Sequence, residues 1–203
     1  MTYESVKKDE NILKILKEID KQHSNIYHGM NHTLNVINNI NKLCSLLNIS
    51  KHENDLLKIA GLLHDIGHQT GKENHEIKSY EFAKDYLKNK INENDYLKII
   101  NAINKHHEKE NIANLTLFEH ILLFADKMDF SYTRINSELN EYTLEKDILE
   151  INFEIKENYF ITSIKTNKLN IKDFKNWPYY TKVKKRIEEF ARKLKKEPKI
   201  KIF

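Results

Sequence analysis

Breakers and thiols are scarce in this chain. Four Gly and two Pro in 203 residues leave few places for the tight turns that a sandwich or barrel of short strands needs, so long helices are favoured. A single cysteine, Cys44, excludes an intrachain disulfide and any thiolate-rich zinc knuckle. Set among the apolar residues of INKLCSLLNI, it reads as a small buried side chain rather than a nucleophile. No apolar run approaches the roughly 20 residues that span a bilayer, and the opening MTYESVKKDEN lacks the apolar centre of a signal peptide. A soluble, cytoplasmic protein with no membrane partner is the expectation. No Gly-rich phosphate loop is present, which sets aside nucleotide binding through a P-loop.

Charge is plentiful but unevenly placed. The net charge is +4, yet residues 182–203 hold ten Lys or Arg against three Glu, leaving residues 1–181 with 24 positive and 27 negative side chains. A basic tail of this kind can touch nucleic acid; the plainer reading is a solvated helix face.

Residues 4–141 read mostly as successive amphipathic helices. VKKDENILKILKEIDKQ sets Ile12, Leu13, Ile15, Leu16 and Ile19 on one stripe. NHTLNVINNINKLCSLLNI repeats the pattern with Leu34, Ile37, Ile40, Leu43 and Leu47. SKHENDLLKIAGLLHDIG opens with Ser50 as N-cap and Glu53 three residues on, and should stop near Gly67. Further helices are predicted over 74–89, 93–107 and 116–140. Beyond residue 147 the period changes: Leu149, Ile151, Phe153 and Ile155 alternate with polar residues, and the pattern resumes after Glu157-Asn158, which predicts a β-hairpin. NWPYYTKVKKRIEEFARKLKK returns to helix with Pro178 in its first turn. The expected architecture is all-α: a helical bundle over residues 1–145, with a C-terminal β-hairpin and basic helix, 146–203, appended as cover for the core or as a homodimer contact.

Ten histidines fall at informative places. His28 and His32, four residues apart, share a helix face. His64-Asp65 ends the third helix, His75 opens the fourth, and His106-His107 ends the fifth. Asp126 follows the apolar ILLFA, where an unpaired carboxylate is costly to bury. A metal ion would satisfy it, and a set of imidazole nitrogens and carboxylate oxygens suits zinc, iron, manganese and similar ions.

The order His32…His64-Asp65…Asp126 resembles the HD superfamily of metal-dependent phosphohydrolases, and GLLHDIGH, NHEIKSYEFA and FADKMDFSYTRI are similar to that family. The extra His75 and His106 resemble its two-metal subgroups. YHGMNH is similar to the Tyr-His-Asn-x-x-His segment of cyclic-nucleotide phosphodiesterases, with Gly29 in place of the Asn. The resemblance implies a helical fold with the ligands in one cleft. His32, His64, Asp65 and Asp126 would hold a first divalent ion, and Asp65 would bridge to a second completed by His75 and His106. The ions would be iron, manganese, zinc, cobalt or magnesium. Of the adjacent pair, the family match favours His106 as ligand; His107 is then a third ligand, a phosphate donor or an exposed residue.

Two adjacent cations would neutralise an anionic phosphoester, orient it, and lower the pKa of a bound water toward neutrality. Hydrolysis by a metal-bound hydroxide, with Asp65 holding the pair of ions together, is therefore the expected chemistry. The resemblance makes His28 a candidate general acid for the leaving oxygen; the alternative is a hydrogen bond near the helix start. His68 stands where many relatives carry a Lys contacting phosphate or water, and could serve there or face solvent. Arg134 lies eight residues after Asp126, near the same face of the predicted helix. It could grip a phosphate bidentately or form a structural ion pair. Lys127 should point away from that face. The expected substrate is a nucleotide or other small phosphoester, a monoester or a diester. An HD-type nuclease is the second reading and would need cations along a strand, which only the C-terminal helix supplies. A non-catalytic, metal-stabilised binding module is the third. Because the basic excess begins at Lys182, far in sequence from every proposed ligand, that helix is expected to be dispensable for small-substrate chemistry.

Overall fold

The computed structural model describes residues 1–22, 28–135, 144–168 and 171–203. The stripe predicted over the first helix divides into α1 (Tyr3–Lys7) and α2 (Glu10–Gln22). Asp9 makes the break, its Oδ1 accepting from the backbone N–H groups of Asn11 and Ile12, so a side chain replaces the missing helical partners. Helix α3 (Met30–Leu46) buries Ile37, Ile40 and Leu43 as its spacing predicts. Leu34 departs from that stripe and is 43% exposed.

Helix α4 (Lys51–Leu63) starts at Ser50, whose Oγ accepts from Glu53 N. It ends earlier than its Gly67 suggests. His64 is the C-cap, and residues Ile66–Thr70 form a 3-10 turn. Gly67 has a different use from the one expected. A Cβ there would lie 2.2 Å from the His75 carbonyl oxygen and 2.6 Å from Ser79 N. The glycine thus lets the 3-10 turn lie directly on α5 (His75–Leu87), and Gly67 N donates to Ser79 Oγ. Gly29 permits a similar approach: its Cβ would fall 2.2 Å from Leu16 O. Having no side chain to cap α3, it leaves that task to Asp20, which accepts from the N–H groups of Gly29 and Met30.

Helix α6 spans Glu93–Lys105. Helix α7 (Leu117–Lys127) begins with a complete capping box between Thr116 and Glu119. It does not continue to residue 140. Met128 closes it, the backbone turns back through Asp129, and a further 3-10 turn occupies Tyr132–Arg134. Residues 136–140 of that predicted helix lie outside the described residues.

The hairpin forms where alternation placed it, with β1 (Ile148–Lys156) antiparallel to β2 (Tyr159–Thr166). The rest of the tail differs from a single helix. Short α8 (Ile171–Asn176) and longer α9 (Tyr180–Lys193) are separate, with Pro178 between them. The chain then forms β3 (Glu197–Ile202), parallel to β2, in a sheet of order β1-β2-β3. Parallel neighbours require a crossover, and α8 and α9 supply it. One buried core joins both parts: Phe124 of α7 stacks on Phe190 of α9 with ring centroids 4.2 Å apart. Cys44 is buried within this core, and burial pushes its thiol up to about 12. That is inert, as expected. Among the described residues no helix is long and apolar enough to cross a membrane.

Candidate metal centre

Five helix ends meet at one point. His32 comes from the first turn of α3, His64 and Asp65 from the end of α4, His75 from the start of α5, His106 from the C-cap of α6, and Asp126 from the last turn of α7. His32, His64, Asp65, His106 and Asp126 are all buried. His32 Nε2 stands 3.2 Å from His64 Nε2 and 3.3 Å from Asp126 Oδ1. On the other side, His75 Nε2 and His106 Nε2 lie 3.6 and 3.4 Å from Asp65 Oδ1.

Asp65 stands between the two groups. Its Oδ2 faces His32 Nε2 at 3.4 Å and His64 Nε2 at 3.7 Å, while its Oδ1 faces His75 and His106. Neighbouring donors on one ion lie roughly 3.0–3.4 Å apart when bonds are about 2.1 Å; the 3.4 Å contacts to His32 and His106 fall in that range, while His64 at 3.7 Å and His75 at 3.6 Å stand slightly beyond it. Asp65 Oδ1 and His106 Nε2 are buried with no hydrogen-bond partner among the described residues, a costly state for two polar atoms unless a cation lies between them.

The imidazoles are oriented from behind. His64 Nδ1 donates to Gly61 O, His106 Nδ1 to Ile103 O, and His75 Nδ1 to Lys72 O. A carbonyl can only accept, so each ring carries its proton on Nδ1 and turns a bare Nε2 lone pair inward. His32 has a stronger orienting group, Asp129, whose Oδ2 is 2.6 Å from its Nδ1. Asn35 holds the other oxygen of Asp129 at 3.0 Å. Nothing in the sequence reading singled out Asp129. The only available signal was its position three residues after Asp126, and it becomes meaningful once the chain turns at Met128. Asp129→Asn should weaken metal affinity by roughly 10–100-fold, the usual cost of losing such a partner, without unfolding the bundle. Metal titration alongside circular dichroism checks this, and unchanged affinity would remove Asp129 from the site.

Charge in the cluster is poised for a cation. Burial and Arg134 disfavour a proton on His32, but hydrogen bonds to Asp126, Asp129 and Asp65 push that imidazole up to about 10. Burial would raise Asp65 and Asp126, yet the imidazoles around them, together with Lys127 beside Asp126, hold both well below the usual carboxylate range. Three carboxylates thus draw a positive charge into a dry pocket. With His32 raised above its ordinary 6.5, its proton stabilises the ion-free fold fully below about pH 6.5, and this contribution is lost as pH rises toward 10. Chelated protein should therefore lose melting temperature across that window, whereas metal-loaded protein, with a cation in place of the proton, should lose less. Parallel melting curves would contradict it.

The remaining predicted residues also gather here. His28 Nδ1 is 3.3 Å from Asp65 Oδ2. His68 is buried rather than solvent-facing, and its ring stacks between those of His28 and His75 at 4.3 and 3.9 Å. His107 is half-buried against His75 and His106, and burial and Lys127 push it down to about 3. Two expectations need correcting. Lys127 folds back toward Asp126, with Nζ 2.6 Å from Oδ2. Arg134 is not on the α7 helix at all; it reaches the site because the chain reverses, and it donates to the Asp129 carbonyl at 2.7 Å. Three groups of donors lie within 4.8 Å of one another: His32, His64 and Asp126; His28, Asp65 and His68; and His75, His106 and His107.

Beside this cluster a cavity of about 580 Å³ opens, with His28, His107, Lys127 and Arg134 at one side. A third correction arises there: Lys182, Lys185 and Arg186 of α9 line the same cavity, so the basic helix is distant only in sequence. A larger cavity of about 810 Å³ between α4, α6 and α7 holds none of the donors.

A compact helical bundle with buried His and Asp side chains converging from five helix ends is the construction of a metal-dependent hydrolase. Residues 29–131, half of the chain, match the family model of the HD domain, and the protein belongs to that family, within the metal-dependent hydrolases of the HD superfamily. Among solved structures the chain is similar to the crystal structure of a predicted HD superfamily hydrolase from an uncultured Thermotogales bacterium. The two are 25% identical, with 60% of this chain and 67% of that chain covered and a TM-score of 0.49. No curated protein matches the chain.

Proposed function

We propose that the protein hydrolyses a small phosphoester at a centre for two divalent ions. The observation that supports this most directly is the division of Asp65, one oxygen toward His32 and His64 and the other toward His75 and His106. In this reading His32, His64, Asp65 and Asp126 hold one ion, and Asp65, His75 and His106 hold the other. The ions supply Lewis-acid charge and an activated water when bound.

The chain's own residues then do the rest. Asp129 and the carbonyls of Gly61, Lys72 and Ile103 fix the imidazole orientations. Arg134 and Lys127 present cationic hydrogen-bond donors to the ester's non-bridging oxygens. His28, at the cavity edge, is placed to pass a proton to the leaving oxygen, with His68 stacked behind it to fix the ring. His107 is a neutral N–H donor toward phosphate. Residues 1–145 carry the chemistry, and residues 146–203 complete one wall of the cavity.

Metal analysis of loaded protein should find two ions per chain. A monoester and a diester of the same chromophore, each supplied with iron, manganese, zinc, cobalt or magnesium, should separate the two reaction types. A count of three would assign His28 and His68 to a further ion. A count of one, with turnover intact, would make the centre mononuclear. Removing the ions should also lower stability, by about 2.7 kcal/mol for each ion relative to protein held at a hundredfold excess over the dissociation constant.

A further inference from the structure

The cavity beside the donors carries more positive charge than one phosphate requires. Six cationic side chains line it, against two carboxylates, Asp129 and Glu145. Asp129 is already engaged with His32 and Asn35. Three of the cations also have partners: Lys127 on Asp126, Arg134 on the Asp129 carbonyl, and Arg186 on Glu189. Lys185 is loosely paired, 3.8 Å from Glu189 and 63% exposed. Lys109 and Lys182 have no carboxylate within salt-bridge distance among the described residues, and Lys182 instead lies over the Tyr179 ring at 5.2 Å. Like charges collected around a concave wall repel one another unless an anion joins them.

The two ends of the cavity differ in origin. His28, Lys127 and Arg134 belong to or border the residues of the HD match, and they stand beside the donor cluster. Lys182 and Lys185 come from the first turns of α9, outside that match. Phe130 and Trp177 also line the cavity, both mostly buried, with ring centroids 5.4 Å apart. A volume near 580 Å³ suits a molecule of nucleotide size.

We infer that Lys182 and Lys185, together with Lys109, form a second anion subsite that selects phosphoesters bearing a further phosphate away from the scissile one. The reading of which phosphate is cleaved rests on the hydrolase function proposed above; the subsite itself does not. A planar group joining the two phosphates would lie along Phe130 and Trp177. The substrate class is thus a nucleotide-sized bisphosphate or polyphosphate rather than a simple monophosphate.

Trp177 is the chain's one tryptophan, so its emission reports on this cavity directly. Metal-loaded full-length protein is titrated with adenosine 5′-monophosphate and with adenosine 3′,5′-bisphosphate, following Trp177 emission and phosphate release together. The bisphosphate should bind at least about tenfold more tightly, since each added charge-assisted contact is worth about that much. The double change Lys182→Gln and Lys185→Gln should erase the preference. Lys184→Gln with Lys195→Gln removes the same charge elsewhere in the tail, Lys184 being paired with Glu188, and should keep it. Equal binding of the two nucleotides, or a preference that survives the Lys182/Lys185 change, overturns the subsite even if both are hydrolysed. A lysine-dependent preference with no phosphate released by any metal would uphold the subsite and remove the hydrolase reading. Tighter binding of a single-stranded oligonucleotide through the same lysines would overturn the subsite in favour of a nucleic-acid surface.

Discussion

Asp65→Ala should abolish hydrolysis while leaving the helical bundle folded. Outer partners of metal-binding histidines cost roughly 10–100-fold when lost; a carboxylate facing both donor groups should cost more than that. This carboxylate stands within 4 Å of His28, His32, His64, His75 and His106. Its removal should drop the metal count below two, with the His75–His106 side emptied first, because Oδ1 is the carboxylate oxygen facing those rings. Asp65→Asn keeps the shape but gives one group an N–H₂ that cannot ligate, and should lose one ion. Circular dichroism separates a lost site from a lost fold. Metal-dependent turnover persisting in Asp65→Ala would show that the wrong His-Asp pair has been placed at the centre.

The second large effect is structural. Gly67→Ala puts a methyl group where the His75 carbonyl and Ser79 backbone nitrogen already stand, 2.2 and 2.6 Å away. Backbone cannot rotate aside as a side chain can, so the 3-10 turn and α5 must separate. Overpacking of this kind costs about 3 kcal/mol, or roughly 6–12 °C in melting temperature for a chain of this size. The separation also draws His75 away from Asp65. Stability and metal content should fall together, measured by thermal melts with and without ions. A melting temperature within a degree of wild type would show that the contact between the turn and α5 is slack.

The donors were legible in the sequence because each one breaks a local rule. Asp126 ends an apolar run, His64-Asp65 follows another, and His28 and His32 share a face. Buried polar groups at such places need a partner, and here the partners are each other. The hairpin was legible for a similar reason, since a change of period from helical to alternating is visible without tertiary knowledge. What escaped depends on where the chain turns. Asp129 and Arg134 are three and eight residues past Asp126, and extending α7 would have put them on helical faces; the reversal at Met128 brings Asp129 onto His32 and Arg134 onto the Asp129 carbonyl. β3 lies beyond the predicted helix, which stops at Lys196, and no strand was expected there because Lys199 and Lys201 mask the alternation of Ile200 and Ile202; lysines are common on edge strands, where they discourage pairing with other chains. The position of α9 follows from β3, and no local pattern announces a crossover. The reach of Lys182 and Lys185 into the cavity was therefore hidden for the same reason.

The parallel pairing of β3 with β2 also has a consequence in time. A chain leaves the ribosome N-terminus first, so Asp126 and every donor before it emerge while α9 is still unmade. The strand that pins α9 through Glu197–Ile202 emerges later still. All of the donors are thus synthesised before the helix that carries Lys182 and Lys185. Under the subsite proposed above, the wall that bears Lys182 and Lys185 is therefore the last part of the cavity to be made, and Phe124 of α7 waits for Phe190 to complete its packing.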